Sequence, residues 1–236
     1  MKDSTNQTIY YTGIANTVAV LEYVASQQLK GSFLAETLDN LLISGTSVGA
    51  IAAPIWLEQI KRYIAAHSYV VLSDSLVINM PEIYQPYFFN IWGFCGSALM
   101  PYEYAGDCLT RNFSHIDLQL LVMRNNPSVV FITVTSKYDN IATASYNRFL
   151  EDRGETALWP VEFYDVVLPV LERLNEESNF IVYVVSSFNH LFMSRSRYFD
   201  ATEFGDTANL DAPVNGEPII LRYIGISLPI CTNIIF

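Results

Sequence analysis

The chain has 236 residues, of which 51% are hydrophobic and 16% are charged, and its formal net charge is −11. This size and composition predict a single globular domain over residues 1–236. The acidic balance argues against a nucleic-acid partner, because phosphates require clustered lysine and arginine. The sequence has no apolar run long enough to predict a transmembrane segment, and its polar N-terminus does not resemble a signal peptide.

Apolar runs rich in β-branched and aromatic residues alternate along the chain with segments whose apolar residues recur at helical spacing. The predicted strands are residues 7–12, 41–44, 69–73, 128–135, 179–186 and 219–226. The predicted helices are residues 16–29, 50–65, 140–150 and 160–175, with further helices within 104–125. Such alternation predicts an α/β fold, in which a mostly parallel sheet carries helices on both faces.

Residues 76–108, which we call the insert, show no clean period and are rich in proline and aromatic residues. A segment of this kind is typical of a lid or a pocket wall, and a packed surface loop is an equally good interpretation. The insert contains Cys95 and Cys108, and a third cysteine is Cys231. Their spacing predicts no metal site. Cys95 and Cys108 could close a disulfide loop, but three free buried thiols are the favoured reading.

The motif Gly45-Thr46-Ser47-Val48-Gly49 lies between the predicted strand 41–44 and the predicted helix 50–65. A strand, a tight turn and a helix form the context in which a serine becomes a nucleophile, and the turn requires small neighbours. We therefore predict Ser47 as a nucleophile, with the Val48 N–H and the helix dipole stabilising an oxyanion. The alternative is a glycine-rich connection without catalytic function.

A serine nucleophile needs a base and an orienting carboxylate. Of the three histidines, only His190 follows a predicted buried strand and comes after the acidic candidates. Asp139 ends the clearest strand and is the favoured acid, while Asp74 is its rival. The order Ser47, Asp139, His190 is that of α/β-hydrolases, so a three-layer α/β-hydrolase-like fold is predicted. A purely structural His190, bonded to a backbone carbonyl, is the alternative.

At these residues the chain resembles the pectin acetylesterase family, which includes Wnt deacylases of the Notum type. The motifs that carry this resemblance occur in the family's order, at residues 10–16, 19–23, 44–50 and 71–75, at Trp92, and at the strands ending in Asp139 and His190. The resemblance implies Ser47 as nucleophile, Asp139 as orienting acid and His190 as base. It also marks Asp74 and Trp92 as candidate substrate-binding residues.

Two features depart from this family pattern. We expect the upstream segment that supplies oxyanion donors in this family to be absent, and Val48 stands where alanine is usual. The expected function is that of a serine carboxylic-ester hydrolase, which removes acetyl or other acyl groups from a polysaccharide or glycan without a metal or organic cofactor. The alternative is an inactive relative that binds a glycan or lipid in an aromatic cleft. The resemblance also suggests secretion.

Overall fold

A computed structural model of the chain describes residues 7–8, 10, 12–31, 34–75, 77–78, 80–110, 113–193 and 234–235. Its centre is a parallel sheet of four strands, joined by a fifth strand of two residues. The strands are β1 (Leu38–Thr46), β2 (Ala66–Asp74), β3 (Val130–Ser136), β4 (Phe180–Val185) and β5 (Ile234–Ile235). Their spatial order is β4-β3-β2-β1-β5, so the first four strands lie side by side in chain order.

Helices connect the parallel strands, as the alternation of patterns predicts. They are α1 (Gly13–Leu29), α2 (Val48–Tyr63), α3 (Gln85–Ile91), α4 (Ala105–Leu109), α5 (His115–Asn125), α6 (Asn140–Glu151) and α7 (Pro160–Leu174). Capping side chains and a proline determine where several of these helices begin. Ser114 and Asp117 form a capping box at the start of α5, Asp139 caps α6, and Pro160 opens α7. Each of these residues satisfies or avoids an unpaired N–H group in the first helical turn.

The two faces of the sheet carry separate apolar clusters. The larger one joins sheet residues such as Ile43, Val71 and Phe131 to buried residues of α1, α2, α5, α6 and α7. The smaller one lies on strand residues such as Leu72 and Ile132. Of the described residues outside the strands, Phe192 and Met193 pack against this smaller cluster. The α/β class and the parallel sheet are thus as predicted, while a helical layer on the second face stays a prediction.

The insert folds into short helical pieces rather than an irregular loop. Besides α3 and α4 it contains 3₁₀ turns at Glu82–Tyr84, Phe94–Gly96 and Tyr102–Tyr104. Cys95 and Cys108 are joined by a disulfide, with their Cα atoms 5.6 Å apart. The favoured reading of three free thiols is therefore wrong for this pair. Both cysteines are buried in the main cluster, where the bond ties α4 to the turn at Cys95. Cys231 lies outside the described residues.

The prediction and the structure differ most at the edges of the sheet. Among the described residues of the predicted strand 7–12, only Thr8 forms a bridge, and α1 begins at Gly13, three residues earlier than expected. The predicted strand 219–226 lies outside the described residues. The short strand β5 was missed, because a run of two residues carries no periodic signal.

Candidate active site

Ser47 is the single residue between the end of β1 and the start of α2. Its backbone has φ 56° and ψ −124°, a combination that residues with a side chain rarely adopt. The Ser47 N–H donates to the carbonyl oxygen of Asp74 at 2.9 Å, and this bond fixes the turn to the end of β2. The surrounding structure therefore holds the strained serine at the carboxyl edge of the sheet.

The two glycines of the motif have different roles. A Cβ on Gly45 would lie 2.0 Å from the carbonyl oxygen of Gly49, so the turn closes only because position 45 has no side chain. A Cβ on Gly49 would meet nothing within 4 Å. The motif predicts that a side chain is excluded equally at both positions. The structure supports that restriction at Gly45 and contradicts it at Gly49, because a Cβ at position 49 would lie in open space.

The structure brings Ser47, His190 and Asp139 into one hydrogen-bonded chain. Nε2 of His190 lies 2.8 Å from Oγ of Ser47, and Nδ1 of His190 lies 2.7 Å from Oδ2 of Asp139. A carboxylate oxygen accepts, so this geometry favours the tautomer with its proton on Nδ1. Nε2 is then free to accept the proton of the serine hydroxyl. The alternative in which His190 bonds only to a backbone carbonyl does not match these contacts.

Asp139 is fixed by the helix that it caps. Its Oδ1 accepts from the N–H groups of Ile141 at 3.0 Å and Ala142 at 2.9 Å, which are unpaired donors of the first turn of α6. Its Oδ2 is thereby directed at His190. Asp139 is 2% exposed, and the side chain of His190 is 12% exposed. The chain of hydrogen bonds thus runs from a buried carboxylate to a partly exposed hydroxyl, which is the end that a substrate can reach.

Val48 is the first residue of α2, so its N–H has no acceptor within the helix. None of the described residues accepts a hydrogen bond from it. This N–H follows the nucleophile directly and lies at the positive end of the helix dipole, the position from which a backbone donor stabilises an oxyanion. The Val48 residue, which follows the nucleophile directly, is 64% exposed.

The two candidate substrate-binding residues lie in different environments. Asp74, at the end of β2, is 0% exposed, and its carboxylate accepts from the N–H groups of Phe192 and Met193. Its carboxylate oxygens therefore accept hydrogen bonds inside the protein, and its use in substrate binding stays a prediction. Trp92 follows α3 in the insert and is 45% exposed. Its use in substrate binding stays a prediction.

The other two histidines are placed apart from this chemistry. His67 is an exposed residue near the amino end of β2, whereas the site lies at the carboxyl ends of the strands. His115 is buried, with Nδ1 2.7 Å from Oε1 of Gln85 and Nε2 3.0 Å from the Val77 carbonyl oxygen. Burial lowers the pKa of His115 to about 4, against smaller raising effects from Val77 and the Asp117 carboxylate.

The loop that carries His190 is held by contacts that the sequence does not predict. Ser136 at the end of β3 donates from Oγ to the carbonyl oxygen of Asn189 at 2.6 Å. The Tyr138 N–H donates to the carbonyl oxygen of Ser187 at 3.1 Å. Polar residues at strand ends were visible in the sequence, but nothing in their spacing indicates which loop they bind.

The chain matches no protein-family model, no curated protein sequence and no solved structure. The resemblance to pectin acetylesterases therefore stands on the short motifs alone. Among the described residues, no helix is both long and apolar enough to cross a membrane. The same residues contain no group of three or more His, Cys, Asp or Glu side chains arranged to hold a metal ion.

Proposed function

We propose that the protein is a serine carboxylic-ester hydrolase that works through an acyl-serine intermediate. The observation that carries this proposal is the chain of contacts from Asp139 through His190 to Ser47 at 2.7 and 2.8 Å. The strained turn gives Ser47 the geometry of a nucleophile, and the Val48 N–H, which donates to none of the described residues, offers an oxyanion donor. A serine, a base, an orienting acid and a backbone donor make up the set that acyl transfer requires.

The reaction would proceed in two halves. In the first, Oγ of Ser47 attacks the ester carbonyl carbon while its proton moves to Nε2 of His190, and the carbonyl oxygen becomes an oxyanion facing the Val48 N–H. The C–O bond to the alcohol then breaks, and His190 returns the proton to the departing alcohol. In the second half a water molecule loses its proton to His190 and attacks the acyl carbon. The carboxylic acid leaves and Ser47 regains its proton.

The substrate class rests on the resemblance to pectin acetylesterases. By that resemblance the enzyme removes acetyl or other acyl groups from a polysaccharide or glycan, and the fold is of the three-layer α/β-hydrolase type. The placement of Ser47, Asp139 and His190 after β1, β3 and β4 supports this fold, because strands of one parallel sheet carry the three loops in the order that α/β-hydrolases use. The Cys95–Cys108 disulfide supports an oxidising compartment, consistent with secretion.

Hydrolysis of p-nitrophenyl acetate tests the proposal. We expect measurable turnover by the wild type and a loss of roughly 10³-fold or more in kcat/KM for Ser47→Ala. Ser26→Ala is the matched control, because Ser26 lies on α1 and its hydroxyl donates to the Tyr23 carbonyl and accepts from the Gln27 side chain, both on the same helix. Equal rates for the wild type and the Ser47 variant would refute the enzyme assignment.

The second candidate is a non-catalytic protein that binds a glycan or a lipid. It is favoured by the exposed aromatic side chains of the insert, among them Tyr87, Trp92 and Tyr102, which offer faces for stacking. A fluorophosphonate probe distinguishes the two candidates. Covalent labelling of Ser47 supports the enzyme, while folded protein that resists labelling and still binds an oligosaccharide supports the binding function.

A further inference from the structure

Asp74 has a buried carboxylate whose hydrogen bonds all lie inside the protein. Its Oδ2 accepts from the Phe192 N–H at 3.0 Å and from the Met193 N–H at 2.7 Å. Its Oδ1 accepts from the Ser75 hydroxyl and, at 3.2 Å, from the Phe192 N–H. The residue is 0% exposed, and no Lys, Arg or His of the described residues forms an ion pair with it. Burying a charge without a countercharge is costly, so these N–H and O–H donors are what stabilise it.

The main chain of Asp74 binds the turn that carries Ser47. Its carbonyl oxygen accepts the N–H of Ser47 at 2.9 Å. Its carboxylate holds the second and third residues after His190. One residue at the end of β2 therefore binds both the turn that presents the hydroxyl and the loop that presents the imidazole. Ser47 and His190 are 143 positions apart in the chain, but the loops that carry them both bind to the end of β2.

We propose that Asp74 is a positioning residue of the proposed esterase, on which this inference rests: its carboxylate sets the place of His190 relative to Ser47. A second contact completes the support, since Oγ of Ser136 holds the residue immediately before His190 at 2.6 Å. The histidine is thus anchored on its N-terminal side by β3 and on its C-terminal side by β2. Asp74 touches no reacting atom and acts through the loop.

A carboxylate suits this role because it accepts from all of its neighbouring donors at once. Three neighbouring groups donate to it, and two of them are backbone N–H groups of one loop. Asparagine at position 74 has the same shape but turns one oxygen into an NH₂ donor. On the Oδ2 side this NH₂ would face the N–H groups of Phe192 and Met193, and on the Oδ1 side it would face the Phe192 N–H at 3.2 Å and would force the Ser75 hydroxyl to accept instead of donate. The loop would then shift to relieve this pair, and a displacement of about 1 Å at a reacting group costs roughly 10²-fold in rate.

Two readouts on Asp74→Asn test the proposal independently of each other. The first is the imidazole ¹H–¹⁵N NMR spectrum, in which the low-field Nδ1–H proton reports the bond from His190 to Asp139. We expect this signal to be lost or strongly shifted in the variant. The second is kcat and KM for p-nitrophenyl acetate, for which we expect kcat to fall about 10-fold to 10²-fold with KM within a factor of two.

Asp117→Asn is the matched control. Asp117 is also a carboxylate that accepts from a backbone N–H and a hydroxyl, both of Ser114, but it caps α5 and pairs with Arg173. Its loss should lower the melting temperature without changing the His190 signal or kcat. If Asp74→Asn behaves in the same way, Asp74 is only structural and the proposal is wrong. If the wild type has no esterase activity but Asp74→Asn alters the His190 signal, the positioning role stands and the proposed function falls.

A second pair of variants covers the case in which Asp74→Asn does not fold. Met193→Pro removes the N–H that donates to Oδ2 at 2.7 Å and leaves the buried carboxylate unchanged. Met193→Ala loses the same side-chain packing but keeps the N–H. The proline variant should show the altered Nδ1–H signal and the alanine variant should not. Identical wild-type-like spectra for both would overturn the inference.

Discussion

Replacing Gly45 with alanine should disable the turn that presents Ser47. The added Cβ would lie 2.0 Å from the carbonyl oxygen of Gly49 and 2.3 Å from its carbonyl carbon, where ordinary contact begins at 3.4 Å. The backbone on one side must therefore move by about 1.4 Å, and no flexible side chain is present to absorb the shift. Overpacking of this kind costs about 1–3 kcal/mol of stability and occasionally more.

Gly49→Ala provides the matched control in the same motif. A Cβ there meets nothing within 4 Å, and Gly49 lies in the first turn of α2 without a positive φ. Alanine restricts the unfolded chain and suits a helix, so the variant should be as stable as the wild type or more stable by up to about 1 kcal/mol. The two substitutions add the same methyl group to the same motif and should have opposite effects.

Urea unfolding followed by circular dichroism measures the stability difference, and p-nitrophenyl acetate hydrolysis measures the state of the turn. We expect Gly45→Ala to lose stability and at least about 10²-fold in kcat, because the hydroxyl of Ser47 is displaced from Nε2 of His190. We expect Gly49→Ala to keep kcat within a factor of two and to lose no stability. Equal behaviour of the two variants in either direction would refute this account of the turn.

Three other changes probe the acid, the disulfide and the buried histidine. Asp139→Asn keeps an N-cap for α6, so melting should change little while hydrolysis falls by up to about 10⁴-fold. Joint replacement of Cys95 and Cys108 by serine should lower the free energy of unfolding by about 3 kcal/mol in a urea titration. The lowered pKa of His115, about 4 when folded, makes stability fall as the pH drops below 6.5, by about 2 kcal/mol at pH 5. His115→Gln should abolish that dependence, and a constant difference from the wild type between pH 7.5 and 5 would contradict it.

The sequence predicts the central strands well, because their signal is local. The run that becomes β3 is rich in apolar and β-branched residues, as is typical of a parallel strand buried on both faces. The placement of Ser47 and Asp139 follows from the same signal, since parallel strands deliver their carboxyl ends to one edge. That the side chains of these two residues meet His190 depends on loop geometry, which the motifs suggest by their order but do not determine.

Non-local contacts were beyond the reach of the sequence. The contact of Asp74 with the loop after His190 has no sequence signal, because a strand-end aspartate looks the same in the sequence whether it faces solvent or a loop more than a hundred residues away. The Cys95–Cys108 bond was not favoured, because spacing alone does not tell a disulfide from two buried thiols. The open space beside Gly49 could not be predicted either, because a glycine in the sequence indicates backbone freedom and does not show whether a side chain would fit.

Mass spectrometry of an acid-quenched reaction tests the acyl-serine route most directly. Wild-type protein mixed with p-nitrophenyl acetate is stopped during turnover, digested and searched for an acetylated peptide. We predict an acetyl group on Ser47, accumulating in the wild type and absent from folded His190→Ala protein, which lacks the base at 2.8 Å from the hydroxyl. Turnover without acetylated Ser47, or acetylation of Ser47 that is undiminished in the His190 variant, would contradict the mechanism.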